Sequence, residues 1–202
     1  WNKLHLIPVF DLRNSGKLEW NGDINPLASA IKCAWKISTV SPTYMEEISH
    51  KANGLESLLQ RERGKSHGIL NGIDNEVWDP AKDPMLSKNF SLRTIEAGKK
   101  ANKQTLCDVF NLDPSKPLFT FIGRLVGEKG ADLLPRIFDN VLRESQGALN
   151  ILVLGSGEKH VEHELEALKD RYRGVYNTYI GYHEQLSHQI YAGADFLLMP
   201  SR

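Results

Sequence analysis

A chain of 202 residues, 41% hydrophobic and 25% charged, has the composition of an ordinary folded protein, large enough for one full domain or one domain and part of a second. Lysine plus arginine equals aspartate plus glutamate at 25 each, and the basic residues are scattered, so neither nucleic acid nor an anionic membrane is an expected partner. Cys33 and Cys107 form no CxxC pair, which argues against a disulfide framework or zinc site and fits a reducing cytoplasm.

The opening "WNKLHLIPVF" has no initiator Met and no signal-peptide pattern, and no later run approaches the roughly 18 apolar residues of a membrane span. "LASAIKCA" is expected to be helical, "WKISTVSP" a strand ended by Pro42, and "TYMEEISHKANG" and "LESLLQRERG" helices that end in glycine. "GILNGIDNEVWDP" then predicts a short strand, an Asn-Gly turn and an irregular stretch. A helix is expected from roughly Ser91 to Asn111, with "DPSKP" as its break. Only one strand pair is predicted before Pro117, so this part reads as the tail of a preceding domain plus a hinge.

From Pro117 onward apolar runs of strand length alternate with helical patterns, the signature of βαβ units and a parallel sheet. The strands are "PLFTFIG", "NILVLGSG", "VYNTYIGY" and "DFLLMPS"; the helices between them are "ADLLPRIFDNVLRES", "EKHVEHELEALKDRYRG" and "HEQLSHQIYAGA". Right-handed crossovers put all four strand C-terminal ends on one edge, where open parallel sheets bind ligands. The exits there are "GRLVGEKG", "GSGEKH", "GYHEQ" and "PSR". The chain stops straight after the last apolar run, as a piece of a longer protein would.

Arg124 and Lys129 stand in the first exit, where the start of the next helix should add partial positive charge. Such a pair suits a diphosphate and could neutralise charge growing on a phosphate leaving group; the alternative is that Arg124, Glu128 and Lys129 are solvated loop charges. "GSGEKH" holds only two glycines of the dinucleotide fingerprint and Glu158 disfavours phosphate there, so base or ribose is the better occupant. His160 and His163 lack the spacing of a metal motif and read as a solvated face. Tyr182 could pack on a nucleobase or be an ordinary half-buried tyrosine, and His188 is expected to pack or cap within its helix. No nucleophile elbow or activated thiolate is present, which disfavours hydrolysis by a triad.

Several ordered motifs, "STVSPTYMEEI", "GLESLLQRERGKSHGILNGIDNEVWDP", "NKQTL", "PLFTFIGRLVGEKGADLL", "VLGSGE" and "IGYHEQLSHQIYAGADFLLMPSR", resemble the bacterial glycogen and plant starch synthases, retaining glucosyltransferases of the two-domain GT-B fold. The resemblance covers roughly residues 37 to 202. It implies transfer of glucose from ADP-glucose, or UDP-glucose, to the non-reducing end of an α-1,4-glucan acceptor, with no metal or other cofactor. By the family's RLxxxKG motif it implies catalytic roles for Arg124 and Lys129 on the donor diphosphate, and donor contacts for Gly123, Gly155, Gly157, Gly181 and Tyr182. The organisation it implies is an acceptor-side segment over 1–70, a hinge and linking helix over 71–116, and a Rossmann-like nucleotide-sugar-binding domain over 117–202.

The family's K-x-G-G-L loop is missing and the chain stops just before an expected E-P-C-G-L segment, so weak nucleotide binding and no transfer are expected of this piece alone. Another retaining GT-B transferase using a UDP- or GDP-sugar, or a non-catalytic nucleotide-binding module, would share the same exit loops.

Overall fold

The computed structural model describes Gly16 and residues 18–202, so the first part of the expected acceptor-side segment, residues 1–15 and 17, lies outside the described residues. The chain divides into two compact units, the break falling between Ile73 and Asp74.

In the first unit β1 (Glu19–Trp20) and β2 (Asp23–Ile24) form an antiparallel hairpin. Asn21 and Gly22, with φ of 53° and 86°, make the two-residue turn whose twist suits a hairpin. Helix α1 (Pro26–Cys33) begins where the Asn25 side chain accepts the Ala28 N–H and Pro26 supplies a helical φ without wasting a donor. Strand β3 (Ile37–Thr39) leads into α2 (Pro42–His50), capped by Ser41; α3 (Glu56–Arg61) and β4 (Ser66–Gly68) follow. β3 and β4 pair in parallel, and Ala28, Ile31, Leu55, Leu58 and Leu59 form the core.

Two sequence expectations fail in this unit. Among the described residues there are two strand pairs before Pro117, not one, and the missed hairpin was signalled by the Asn-Gly at 21–22. The turn expected at Asn71-Gly72 does not form: neither residue has the positive φ that such a hairpin needs, and β4 ends at Gly68. β4 pairs in parallel with β3, so a tight reversal after it would have no antiparallel strand to extend.

In the second unit α4 (Ile95–Phe110) ends on Asn111, which adopts the left-handed conformation at φ 54°. Then come β5 (Leu118–Leu125), α5 (Leu134–Glu144), β6 (Asn150–Gly157), α6 (Lys159–Arg171), β7 (Tyr176–Ile180), α7 (Glu184–Gly193) and β8 (Phe196–Leu197). The sheet order is β7-β6-β5-β8 and every pairing is parallel, as the alternating pattern predicts. Side chains of β5 and β6 alternate between two cores. Phe121, Leu125 and Val153 pack with Phe138 of α5 and Leu165 of α6, while Leu118, Leu152 and Leu154 pack with Leu106 of α4 and Ile190 of α7. Burial on both faces is why the apolar residues of these strands run together instead of alternating with polar ones.

The helix expected from Ala131 begins later. Gly127–Lys129 and Ala131–Leu133 are tighter 3-10 turns, and the α-helix starts at Leu134, because Pro135 has no N–H with which to close a turn onto Ala131. The last strand is two residues long rather than the whole of "DFLLMPS". Beyond Leu198 the chain crosses the β5 exit instead, where the Arg202 N–H donates to the Glu128 carbonyl at 3.0 Å. Among the described residues no helix is long and apolar enough to cross a membrane.

Candidate functional site

Strands β5, β6 and β7 end side by side, Gly123 opposite Gly155 and Gly155 opposite Ile180. Beyond their C-terminal ends lies a cleft of about 390 Å³. Ile122, Gly123 and Arg124 of β5 and Leu154, Gly155 and Ser156 of β6 line its floor. Gly181, Tyr182 and His183 close one side, the α7 residues Glu184, Ser187 and Tyr191 another, and Trp78 stands in the wall from the irregular stretch before α4.

The glycine content of this edge has two physical causes. A Cβ on Gly155 would sit 2.1 Å from the Gly123 carbonyl oxygen, and one on Gly157 2.4 Å from that of Leu125, so the strands approach closely only without side chains. Gly181 has a φ of +145°, which L side chains rarely adopt, and its N–H donates to the Gly155 carbonyl at 2.8 Å. At Gly123 and Gly155 the floor is therefore bare backbone.

Of the residues singled out from the sequence, Gly123, Arg124, Gly155, Gly181 and Tyr182 line the cleft; Lys129 and Gly157 do not. Arg124 belongs to β5 itself, not to the loop after it, and its guanidinium, largely exposed, lies 3.3 Å from the Glu128 carboxylate. An ion pair so open to water contributes little and leaves the guanidinium available to a better anion. Lys129 is exposed in the first 3-10 turn and makes no ion pair among the described residues. The Gly157 N–H is occupied, donating to Glu162 Oε1 at 2.8 Å.

The positive helix terminus expected beside Arg124 and Lys129 is not there. The N–H groups of Lys129, Gly130 and Ala131 donate to the carbonyls of Val126 and Gly127, and the Gly127 N–H donates to Glu158 Oε1 at 3.2 Å. The 3-10 turns consume the donors that an α-helix start would have presented, so an anion here depends on side-chain cations. At the β6 exit the α6 terminus carries its own carboxylates: Lys159 first, then the Gly157 N–H, hold the Glu162 carboxyl below its ordinary range. That turn suits neutral groups.

Tyr182, 84% exposed, stands at the mouth with a free ring face. His183 caps α7, its Nδ1 accepting the Leu186 N–H at 3.1 Å, so its proton sits on Nε2. His160 lies 3.7 Å from Glu158 at the surface, and no three His, Cys, Asp or Glu side chains gather among the described residues. His188 packs, as expected, but against a partner the sequence did not suggest: it stacks on Trp78 and bonds Asp83. Trp78 and Asp83 were missed because they sit in a stretch without periodicity, where the one available signal was an aromatic among Asp, Pro and Gly residues. The cleft thus offers apolar walls for a flat ring and one cation at its β5 side for an anionic group.

A four-stranded parallel sheet with helices on both faces and its cleft beyond the strand C-terminal ends is the architecture of the nucleotide-binding lobe of a GT-B fold. The chain matches the family model described as starch synthase catalytic domain over residues 2–61 and that described as glycosyl transferases group 1 over residues 116–202. It is 54% identical over 202 residues to a glycogen synthase of Flavobacterium johnsoniae, covering all of this chain and 43% of that protein. A glycogen synthase of Lacticaseibacillus casei is 42% identical over 184 residues, covering 90% of this chain and 38% of that protein. Among solved structures, the catalytic domain of starch synthase IV from Arabidopsis thaliana, bound to ADP and acarbose, matches with a TM-score of 0.79 and 35% identity over 90% of this chain and 38% of that one. A glycosyltransferase from Rickettsia africae, at 14% identity over 82% of this chain and 38% of that one, shares the fold with a TM-score of 0.52. The chain is similar to bacterial glycogen synthases and a plant starch synthase and spans about two fifths of the length of those it matches.

Proposed function

We propose that this chain supplies the donor lobe of an ADP-glucose-dependent glucosyltransferase, in which the whole protein extends the non-reducing end of an α-1,4-glucan with retention at the anomeric carbon. The observation that carries the reading is the cleft itself: three strand exits meet at a floor opened by Gly123 and Gly155, with Arg124 at one side and Tyr182 at the mouth. The relatives' name, glycogen synthase, and the ADP held by the starch synthase neighbour support it.

In this reading the base lies against Gly181 and Tyr182 at one side and the floor glycines Gly123 and Gly155. The diphosphate meets Arg124, and Lys129 joins from the turn that leaves the same strand. As the glycosidic bond to the donor breaks, negative charge grows on the departing diphosphate. A guanidinium fork and an ammonium already in place stabilise it without reorganising, an effect typically worth about 3 kcal/mol per well-placed donor. Gly157 acts by letting β6 close on β5. No metal or other cofactor is needed in this scheme. In the same reading residues 1–70 belong to the acceptor side, 71–116 to the hinge and linking helix and 117–202 to the nucleotide-sugar-binding domain, and the free thiols Cys33 and Cys107 fit the cytoplasm.

Thermal-shift titration with ADP-glucose, UDP-glucose and GDP-mannose tests the reading. A ligand at a hundred times its Kd stabilises by about 2.7 kcal/mol. ADP-glucose should raise Tm the most, and Arg124→Ala and Lys129→Ala should each weaken binding by about tenfold or more. A larger response to UDP-glucose or GDP-mannose would reassign the donor. The absence of any response to all three would remove the nucleotide-sugar site.

A further inference from the structure

Trp78 lines the cleft, yet the stretch that carries it has no helix or strand between β4 and α4. A ring on such a segment can serve as a wall only if tertiary contacts hold it. The contacts here are unusually polar for their depth. His188 Nδ1 lies 2.6 Å from Asp83 Oδ2 across 105 residues of sequence, and the two side chains are only 1% and 6% exposed. The Asp83 carboxylate also accepts the Met85 N–H at 2.8 Å, and its backbone carbonyl takes the Asn89 side chain at 2.7 Å. The Asn102 side chain of α4 bonds both the N–H and the carbonyl of Lys88, and Gln189 reaches the Met85 carbonyl.

Placing an acidic group and an imidazole in a core is costly unless they are paired, and a pair replaced by apolar groups would often be no less stable. Stability alone therefore does not account for this choice. The imidazole lies flat on the Trp78 indole, ring centroids 3.7 Å apart and planes 11° from parallel, and Tyr191 meets the indole edge-on at 5.6 Å. Because Nδ1 is tied to Asp83, the imidazole cannot flip, and its plane dictates that of the indole.

We propose that Asp83 and His188 are positioning residues for the cleft: their buried pair clamps the irregular segment onto α7, and the imidazole sets the angle at which Trp78 faces a bound nucleotide. The proposal rests on the donor-site reading above and adds to it a residue pair that touches no ligand. Its effect on binding passes through the indole, which an ordering contact of the core would not require.

A double-mutant cycle with ADP as probe, on the 202-residue chain, separates the two roles. Trp78→Ala and His188→Phe should each weaken ADP binding by about tenfold, the scale of a lost base–aromatic contact, and the double variant should bind no more weakly than Trp78→Ala alone. Multiplying losses, or an unchanged affinity in His188→Phe, would overturn the proposal. If His188→Phe does not fold by circular dichroism, the isosteric Asp83→Asn replaces it in the same cycle. A second readout needs no nucleotide. With Trp1, Trp20 and Trp35 changed to Phe, acrylamide should quench Trp78 more strongly in Asp83→Asn and His188→Phe than in the parent. A wild-type chain that fails to bind ADP refutes the donor-site reading; quenching then decides the clamp, and unchanged quenching in both variants overturns it.

Discussion

Gly123 and Gly155 are register partners on neighbouring strands, both glycine and both in the cleft floor, yet the structure predicts very unequal costs for the same substitution. In Gly155→Ala the new methyl would lie 2.1 Å from the Gly123 carbonyl oxygen and 3.3 Å from Leu125 Cγ. The first neighbour is backbone in the middle of a four-stranded sheet, so it cannot swing away; β5 and β6 must part or twist. In Gly123→Ala the nearest atom is the ring edge of Phe121 at 3.4 Å, an ordinary contact. Overpacking a well-packed site costs about 1–3 kcal/mol, and a fixed backbone neighbour puts Gly155→Ala at the upper end, about 3 kcal/mol. At roughly 3–4 °C per kcal/mol for a chain of this size, Tm should fall by about 10 °C, against about 2 °C or less for Gly123→Ala. Thermal denaturation followed by circular dichroism measures both. A Gly155→Ala variant that melts with the wild type, or a Gly123→Ala variant that falls as far, would refute the reasoning about close strand approach.

Two further outcomes follow from the described geometry. Burial pushes the Cys107 thiol up to about 11 while Cys33 is exposed, so Ellman's reagent at pH 8 should modify Cys33 rapidly and Cys107 only on unfolding; two fast thiols in the native chain would contradict this. The Tyr172 hydroxyl, then Arg171, hold the Asp139 carboxyl below its ordinary range, so its stabilising effect is present above the unfolded pKa of about 3.9 and is lost as pH falls through the lower folded value. The urea midpoint of Asp139→Asn should therefore lie below that of the wild type at pH 7 and converge with it near pH 2. An equal gap at both pH values would show that the carboxylate's charge is irrelevant.

The alternation of strands and helices from Leu118 to Leu197, the parallel pairing and the glycine-rich exits were legible in the sequence because each depends on neighbours a few residues apart. Short apolar runs rich in β-branched and aromatic residues and bounded by glycine read as buried strands, and short crossovers force the exits to one edge. Legibility failed where the deciding partner is remote. Asn21-Gly22 and Asn71-Gly72 are the same dipeptide, yet only the first makes a hairpin, because only there does an antiparallel partner follow. Arg124 and Lys129 are equivalent in the motif, but strand β5 runs on through Arg124 and places it in the cleft, while the 3-10 turn before Pro135 carries Lys129 outside the lining. Asp83 and His188, 105 residues apart, come together with Trp78 through a buried hydrogen bond and ring stacking that only the tertiary structure creates. Local pattern determined the elements and their edge; long-range packing, in which a contact depends on every element between its partners, decided which side chains meet there.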